Sequence, residues 1–416
     1  MQTQIKIKTV LVAVTPAPVS TVQADPPLRE LKSLAKTRGL RVVGTAVQQR
    51  HVPDTRTYIG SGKLEQLCAQ VESHEAELVV FDNDLSPKQG QRLERALGCM
   101  VWDRTQLILE IFARHARTAE ARAQIELARL KYMLPRLAGL WGHLDREKGG
   151  IGVSRGMGEK QIAIDRRIIG KRIAGLEKKL ARIAGGCRVR RKNRAGCFQV
   201  ALVGYTNAGK STLMNLLTGS DSAVADRLFA TLDSTTRVLP GAAKPEILIS
   251  DTVGVIRNLP HGLVASFRST LDVVRQADLL LQVVDVGSAV REEHIRTTQG
   301  VLEEIGAQDV PRLLVFNKAD LYTDDIGRLI LEKKHPRSVM LSALDPGSRD
   351  LLVAGITDFF GHHFFTHTVR LPYSRCDGLA ELYRHSIVGS VRYRDDAVYV
   401  DCTISHANKK RLGGLV

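Results

Sequence analysis

Six cysteines are scattered through 416 residues with no C-x-x-C pair among them. That argues against a disulfide framework and against a cysteine-ligated zinc site, and it favours a reducing, cytoplasmic setting. No stretch approaches eighteen uninterrupted apolar residues, so no membrane-spanning helix is expected. The segment from Met1 to Thr9 is polar and charged and lacks a secretory apolar core. Peripheral contact with a membrane stays open, and a monomer is expected. Acidic residues are scarce in one place above all. Between Arg114 and Arg194 seven Asp or Glu face 22 Lys or Arg, a net +15 out of +16 for the whole chain. Basic charge confined to one segment points to a polyanionic partner, nucleic acid first. A solvated helical face is the plain alternative.

The apolar content, 44%, is enough for ordinary buried cores, and the length suggests two to four domains. The fold class expected is α/β, in five segments. Residues 1–104 alternate short strands (Val10 to Val14, Arg41 to Val47, Leu78 to Asp82, Cys99 to Trp102) with helices, the pattern of an N-terminal α/β domain with parallel strands. Gly60-Ser-Gly-Lys63 in this domain lacks the first glycine of a phosphate loop and reads as a loop entering a helix. A second nucleotide site there is a minor alternative.

Residues 105–185 read as a basic antiparallel helical hairpin. Its first helix runs from about Thr105 to Leu137, with Ala116, Ala123, Leu127, Leu130, Leu134 and Leu137 at near-heptad steps. Its second runs from Lys160 to Ala184, with Ile162, Ile169, Ile173, Leu176, Leu180 and Ile183 on one seam. The tip, 138–158, holds seven glycines in 21 residues, together with Trp141, His143, Arg146, Lys148 and Arg155. Such a loop lets backbone approach phosphates and an indole stack on an unpaired base, which makes these five residues candidates for RNA contact. A plain connector is the other reading. Residues 186–197 form a basic linker.

Residues 198–361 carry the strongest signal. Gly204, Tyr205, Thr206, Asn207, Ala208, Gly209, Lys210 and Ser211 form G-x-x-x-x-G-K-S between an apolar strand and a helix, the context of a phosphate-binding loop. Such a match arises by chance in roughly one or two chains per hundred of this length. The glycines let successive N–H groups turn inward, the helix N-terminus faces the anion, Lys210 reaches the β and γ phosphates, and the Ser211 hydroxyl is placed for Mg²⁺. Asp251, Thr252, Val253 and Gly254 end a later strand, where Asp251 can hold Mg²⁺ through a water and the Gly254 N–H can sense a γ-phosphate. Asn317, Lys318, Ala319 and Asp320 end another. The Asp320 carboxylate offers two acceptors to the N1–H and N2–H₂ donors of guanine, a pair that adenine lacks. Ser342, Ala343 and Leu344 follow the last strand and would close over the base. Phe229, Ala230, Thr231, Leu232 and Asp233 lie where a switch segment belongs, with Thr231 the candidate for Mg²⁺ and the γ-phosphate. These motifs together give a doubly wound GTPase domain that binds GTP and GDP and works as an order–disorder switch. Val255 stands where many such switches use a glutamine to orient the attacking water, so no residue is assigned to catalysis and slow hydrolysis is expected of the chain alone. Residues 362–416 read as a small C-terminal α/β unit.

Taken together, Tyr58-Ile-Gly-Ser-Gly-Lys63, Leu85-Ser-Pro87, Asp103-Arg-Thr105, Gly149-Gly-Ile-Gly152, Arg155-Gly-Met-Gly-Glu159, Asp165-Arg-Arg167 and the nucleotide motifs resemble an HflX-type GTPase over almost the whole chain. The resemblance implies hydrolysis stimulated by the ribosome, binding to the large ribosomal subunit and its rRNA, and separation of stalled or idle ribosomes under stress. An assembly or surveillance GTPase that binds ribosomes without splitting them is the alternative. Met157, Lys160, Ala163 and Ser234 depart from the family pattern, whereas the nucleotide motifs are intact.

Overall fold

Val10 to Val14 is apolar at every position because both faces of its strand are covered, the signature of a parallel sheet between helices. In the computed structural model, which describes residues 6–15, 28–137, 155–192, 197–220, 228–229, 234–240, 246–257, 268–361, 364–375 and 377–405, this run lies in strand β1 (Lys8–Thr15). It is flanked in order β2-β1-β3-β4 by β2 (Arg41–Gln49), β3 (Leu78–Phe81) and β4 (Met100–Trp102), all parallel. Helices α1 (Arg29–Arg38), α2 (Ser61–His74) and α3 (Pro87–Leu97) connect them. Ser86 starts α3 with a capping box to Gln89, and Pro87 sits in the first turn, where its missing N–H costs nothing.

The single helix expected from Thr105 to Leu137 is two helices, α4 (Arg104–His115) and α5 (Ala119–Met133). Ala116 turns to extended backbone, and the Thr118 side chain accepts from Ala121 N to start the second helix. The break has a packing cause. Leu107, Ile108, Ile111 and Phe112 of α4 are buried in the cluster built on β1 and β3, whereas Ala123 and Leu127 of α5 face a different partner. One straight helix would not aim both stripes correctly. The partner is α6 (Arg155–Lys192), which begins five residues before the expected start and continues through much of the segment read as a linker. Leu176 of α6 is buried against Ala123 and Leu127, with Leu130, Ile173 and Leu180 flanking. Ion pairs Arg172–Glu126 and Lys131–Glu177, each 2.8 Å, cross the seam.

The second sheet has order β10-β9-β8-β5-β7-β6. Strands β5 (Phe198–Gly204), β7 (Ile247–Asp251), β8 (Leu279–Asp285), β9 (Arg312–Asn317) and β10 (Ser338–Met340) are parallel and match the expected runs within two residues. Strand β6 (Thr235–Val238), antiparallel to β7, was not expected, since its four residues carry only one aliphatic side chain. Around this sheet lie α7 (Lys210–Thr218), α8 (Arg268–Arg275), α9 (Arg291–Glu304), α10 (Asp325–Lys334) and α11 (Ser348–Gly361). The last unit is an antiparallel sheet β11-β13-β12, made of β11 (Phe364–Leu371), β12 (Ile387–Tyr393) and β13 (Val398–Ser405), with α12 (Asp377–His385) against it.

The seam predicts a local effect. Leu176→Ala removes a side chain that is 5% exposed, at a cost of about 2–4 kcal/mol. Hydrogen exchange should rise in α5 and α6 and stay unchanged in the β5–β9 sheet. Uniform protection would show that the two helices do not depend on this contact.

Candidate functional site: a nucleotide pocket at the strand ends

The phosphate loop begins where β5 runs out of room. Gly204 has φ +148°, and a Cβ there would collide with the Val283 carbonyl. Gly209 has φ +91°, and a Cβ would strike the Asn317 side-chain amide. Both positions therefore require glycine, for conformation and for space. Gly209 also forms the N-cap of α7, whose first turn carries Lys210 and Ser211. Lys210 is 6% exposed, and its ammonium donates to the carbonyls of Gly204 at 3.1 Å and Tyr205 at 2.9 Å. Burial pulls its pKa down to about 8, with Asp251 opposing the drop.

The expected motifs converge on this loop. The Ser211 hydroxyl donates to Asp251 Oδ2 at 2.7 Å, and Asp251 is buried at the end of β7. Thr252 hydrogen-bonds back to Leu202 O, locking β7's exit against β5. Asn317 is 1% exposed and works as a staple. Its amide donates to Ala208 O at 2.9 Å, and its carbonyl accepts from Ala343 N at 2.9 Å. One side chain thus ties the phosphate loop to the 342–344 segment. Lys318 takes a left-handed conformation, φ 63°, and pairs with Asp285 at 2.8 Å, while Asp320 is exposed. The Ser342 side chain accepts from Leu344 N, and Leu344 itself is 77% exposed. Val255 bridges the loop through Val255 N to Gly204 O at 3.0 Å and Thr206 N to Val255 O at 2.8 Å. Its side chain has no polar atom, so it supplies no water-orienting group.

Phe229 turns its ring into the core, edge-on to Phe112 with centroids 4.6 Å apart. Ala230, Thr231, Leu232 and Asp233 lie outside the described residues, as do Trp141, His143, Arg146 and Lys148; Arg155 opens α6.

Sequence reasoning missed the floor of the site. The Tyr205 hydroxyl donates to Glu30 of α1 at 2.8 Å and accepts from Arg257 N at 2.8 Å, while its ring stacks on His294 at 3.8 Å. Arg104, at the start of α4, is 1% exposed and pairs with Glu30 at 2.9 Å and with Asp82 at the end of β3. Burial raises the Tyr205 pKa well above its ordinary value, and the Glu30 carboxylate raises it further. These partners lie far apart in the chain, so no local pattern marks them. The tripeptide Asp103-Arg-Thr105 matched the family pattern without revealing a role.

Three family models match in order. A GTP-binding GTPase N-terminal model covers residues 25–113, a GTP-binding GTPase middle-region model 115–194, and a 50S ribosome-binding GTPase model 199–318. The chain is 42% identical over 415 residues to GTPase HflX of Gluconacetobacter diazotrophicus, covering 91% of each. It is 42% identical over 348 residues to GTPase HflX of Escherichia coli, covering 83% of this chain and 82% of that one. Among solved structures, a GTP-binding protein from Sulfolobus solfataricus in complex with GDP aligns with 27% identity and a TM-score of 0.44, over 85% of this chain and 98% of that one.

The buried lysine predicts a proton linkage. Free Lys210 loses its proton near pH 8, and a bound polyphosphate favours the charged form. GTP binding above pH 8 therefore takes up a proton, and affinity falls as pH rises, by at most about tenfold per pH unit. Calorimetry at pH 8.5 in two buffers of different ionisation heat should reveal the uptake. Identical heats would refute the linkage.

Proposed function

From the premise that the chain belongs to the HflX family of GTPases and hydrolyses GTP, we propose that it binds the large ribosomal subunit through the basic hairpin and uses its nucleotide switch to separate stalled or idle ribosomes. The observation that carries this reading is the confinement of a net +15 to residues 114–194. Within that segment the described residues include α5 and α6, which pack through Leu176. A rigid cationic arm suits a phosphate-rich surface, and its grip would weaken steeply with salt. The glycine-rich tip, with Trp141, His143, Arg146, Lys148 and Arg155, is the part proposed to meet rRNA. The setting proposed is the cytoplasm. Among the described residues no helix is long and apolar enough to cross a membrane.

The nucleotide chemistry follows from the pocket. Backbone N–H groups of 205–211 and the Lys210 ammonium neutralise the phosphates, and Asp320 selects guanine. The Ser211 hydroxyl and Asp251 carboxylate, 2.7 Å apart in a buried setting, are hard oxygen donors that suit Mg²⁺. Ser211 and Thr231 would hold it directly and Asp251 through a water. When bound, the ion neutralises charge on the β and γ oxygens. Gly254 N–H senses the γ-phosphate, so the 229–236 and 251–260 segments order with GTP and relax after hydrolysis. Val255 leaves water orientation incomplete, and the ribosome is proposed to complete it.

The test is GTP turnover with and without purified large ribosomal subunits, for the native chain and Lys210→Ala. The subunits should stimulate the native chain at least tenfold and leave the variant inactive. An unstimulated chain that still binds GTP would contradict the proposal.

A further inference from the structure

Val255 supplies no amide for hydrolysis, yet a cation lies two residues beyond it. The Arg257 backbone is held on both sides. Its N–H donates to the Tyr205 hydroxyl at 2.8 Å, and its carbonyl accepts from Arg104 Nη2 at 3.0 Å. Its guanidinium, 37% exposed, lies 3.4 Å from Asp82 and 3.8 Å from Glu30. Those carboxylates are already engaged. Arg104 takes the close contact to Asp82 and a 2.9 Å contact to Glu30, and Glu30 also accepts from Tyr205. Two guanidiniums share two carboxylates, and the short contacts belong to Arg104. Arg257 Nε is buried and makes no hydrogen bond among the described residues. Arg257 is therefore a loosely tethered cation.

The chain fixes how far that cation is from the phosphates. A Cβ at Gly254 would stand 3.0 Å from Lys210 Nζ, so residue 254 lies beside the phosphate-loop lysine. Arg257 lies three residues further, at most about 10 Å along the backbone. A long side chain closes that gap once its tether yields.

We propose that Arg257 is a catalytic residue of GTP hydrolysis, held in reserve by Asp82 and Glu30 of the N-terminal domain. When GTP draws Gly254 toward its γ-phosphate, the guanidinium leaves the two carboxylates and turns to the transferring phosphoryl group. Water forms a bond to the γ phosphorus as the bond to the β–γ bridging oxygen breaks. GDP leaves with that electron pair, and the water's protons pass to the phosphate and the solvent. The planar fork of Arg257 neutralises the charge that builds on the equatorial and bridging oxygens. Asp82 restrains this residue and does not touch substrate. Arg104 stays paired with both carboxylates after Arg257 departs.

The test uses the full chain without ribosomes, so its outcome is independent of the proposed partner. Single-turnover hydrolysis is measured for Asp82→Asn, Arg257→Ala, Arg257→Lys and the Asp82→Asn/Arg257→Ala double variant, with GDP affinity measured for each. Asp82→Asn should raise the single-turnover rate constant several-fold with GDP affinity within twofold. Arg257→Ala should lower it at least tenfold with GDP affinity intact, and lysine should not rescue it, since an ammonium lacks the fork. The double variant should turn over like Arg257→Ala, with the rise abolished. GDP with aluminium fluoride should be retained by the native chain and released by Arg257→Ala. If Asp82→Asn does not fold, the Arg257 variants and the fluoride measurement decide alone. Native turnover in Arg257→Ala, a rise that survives in the double variant, or a loss of GDP binding that matches the loss of turnover would overturn the assignment.

Discussion

Arg104 is a guanidinium with 1% exposure, and the architecture around the nucleotide site depends on keeping it paired. A charge taken so far from water is tolerated only with good partners, and losing one of them costs about 3–5 kcal/mol. The partners come from separate elements. Glu30 stands in the first turn of α1, Asp82 follows β3, and Arg257 O belongs to the segment after β7. Burial opposes the charge of Arg104, and Glu30 and Asp82 more than offset it, so it stays firmly protonated. The Tyr205 hydroxyl joins the same cluster from the phosphate loop. The ends of parallel strands from two sheets thus meet across one buried polar knot. Ligand sites of open α/β sheets lie at such strand ends, and Tyr205 ties the knot directly to the phosphate loop.

The hairpin is organised by a narrower contact. Leu176 packs against Ala123 and Leu127 where α5 meets α6, and the alanine opposite a leucine lets the helices approach closely. Helix α6 then returns toward β5, with residues 193–196 between them in sequence, and β5 ends in the phosphate loop. The basic arm and the catalytic loop are therefore consecutive parts of one framework. Charge sits along the arm because its outer faces need only solvent or a polyanion. The seam itself carries little of it beyond the flanking ion pairs.

Much of this was legible in the sequence where the signal is local. Apolar runs such as Leu279 to Val284 announce strands covered on both faces, and Gly204 and Gly209 announce a loop that no other residue fits. The spacing of Ile173, Leu176 and Leu180 announced the seam. Signals that depend on tertiary context were not legible. The periodicity across 105–137 hides a break, because Ala116 fits the stripe by composition while Thr118 caps a new helix. Strand β6 is too short and polar to stand out from a loop. The Phe229 ring packs edge-on to Phe112, a contact no motif announces. Glu30, Asp82, Arg104 and Arg257 form one cluster across more than two hundred residues of chain, and each alone reads as an ordinary surface charge.

The nucleotide pocket is proposed to govern how the basic hairpin meets a phosphate-rich partner. The most direct test is sedimentation of purified large ribosomal subunits with the chain, in a nonhydrolysable GTP analogue and in GDP, at low and moderate salt. Co-sedimentation is expected with the analogue, much less with GDP, and release as salt rises. Equal binding in both nucleotides, or binding that ignores salt, would contradict the proposal.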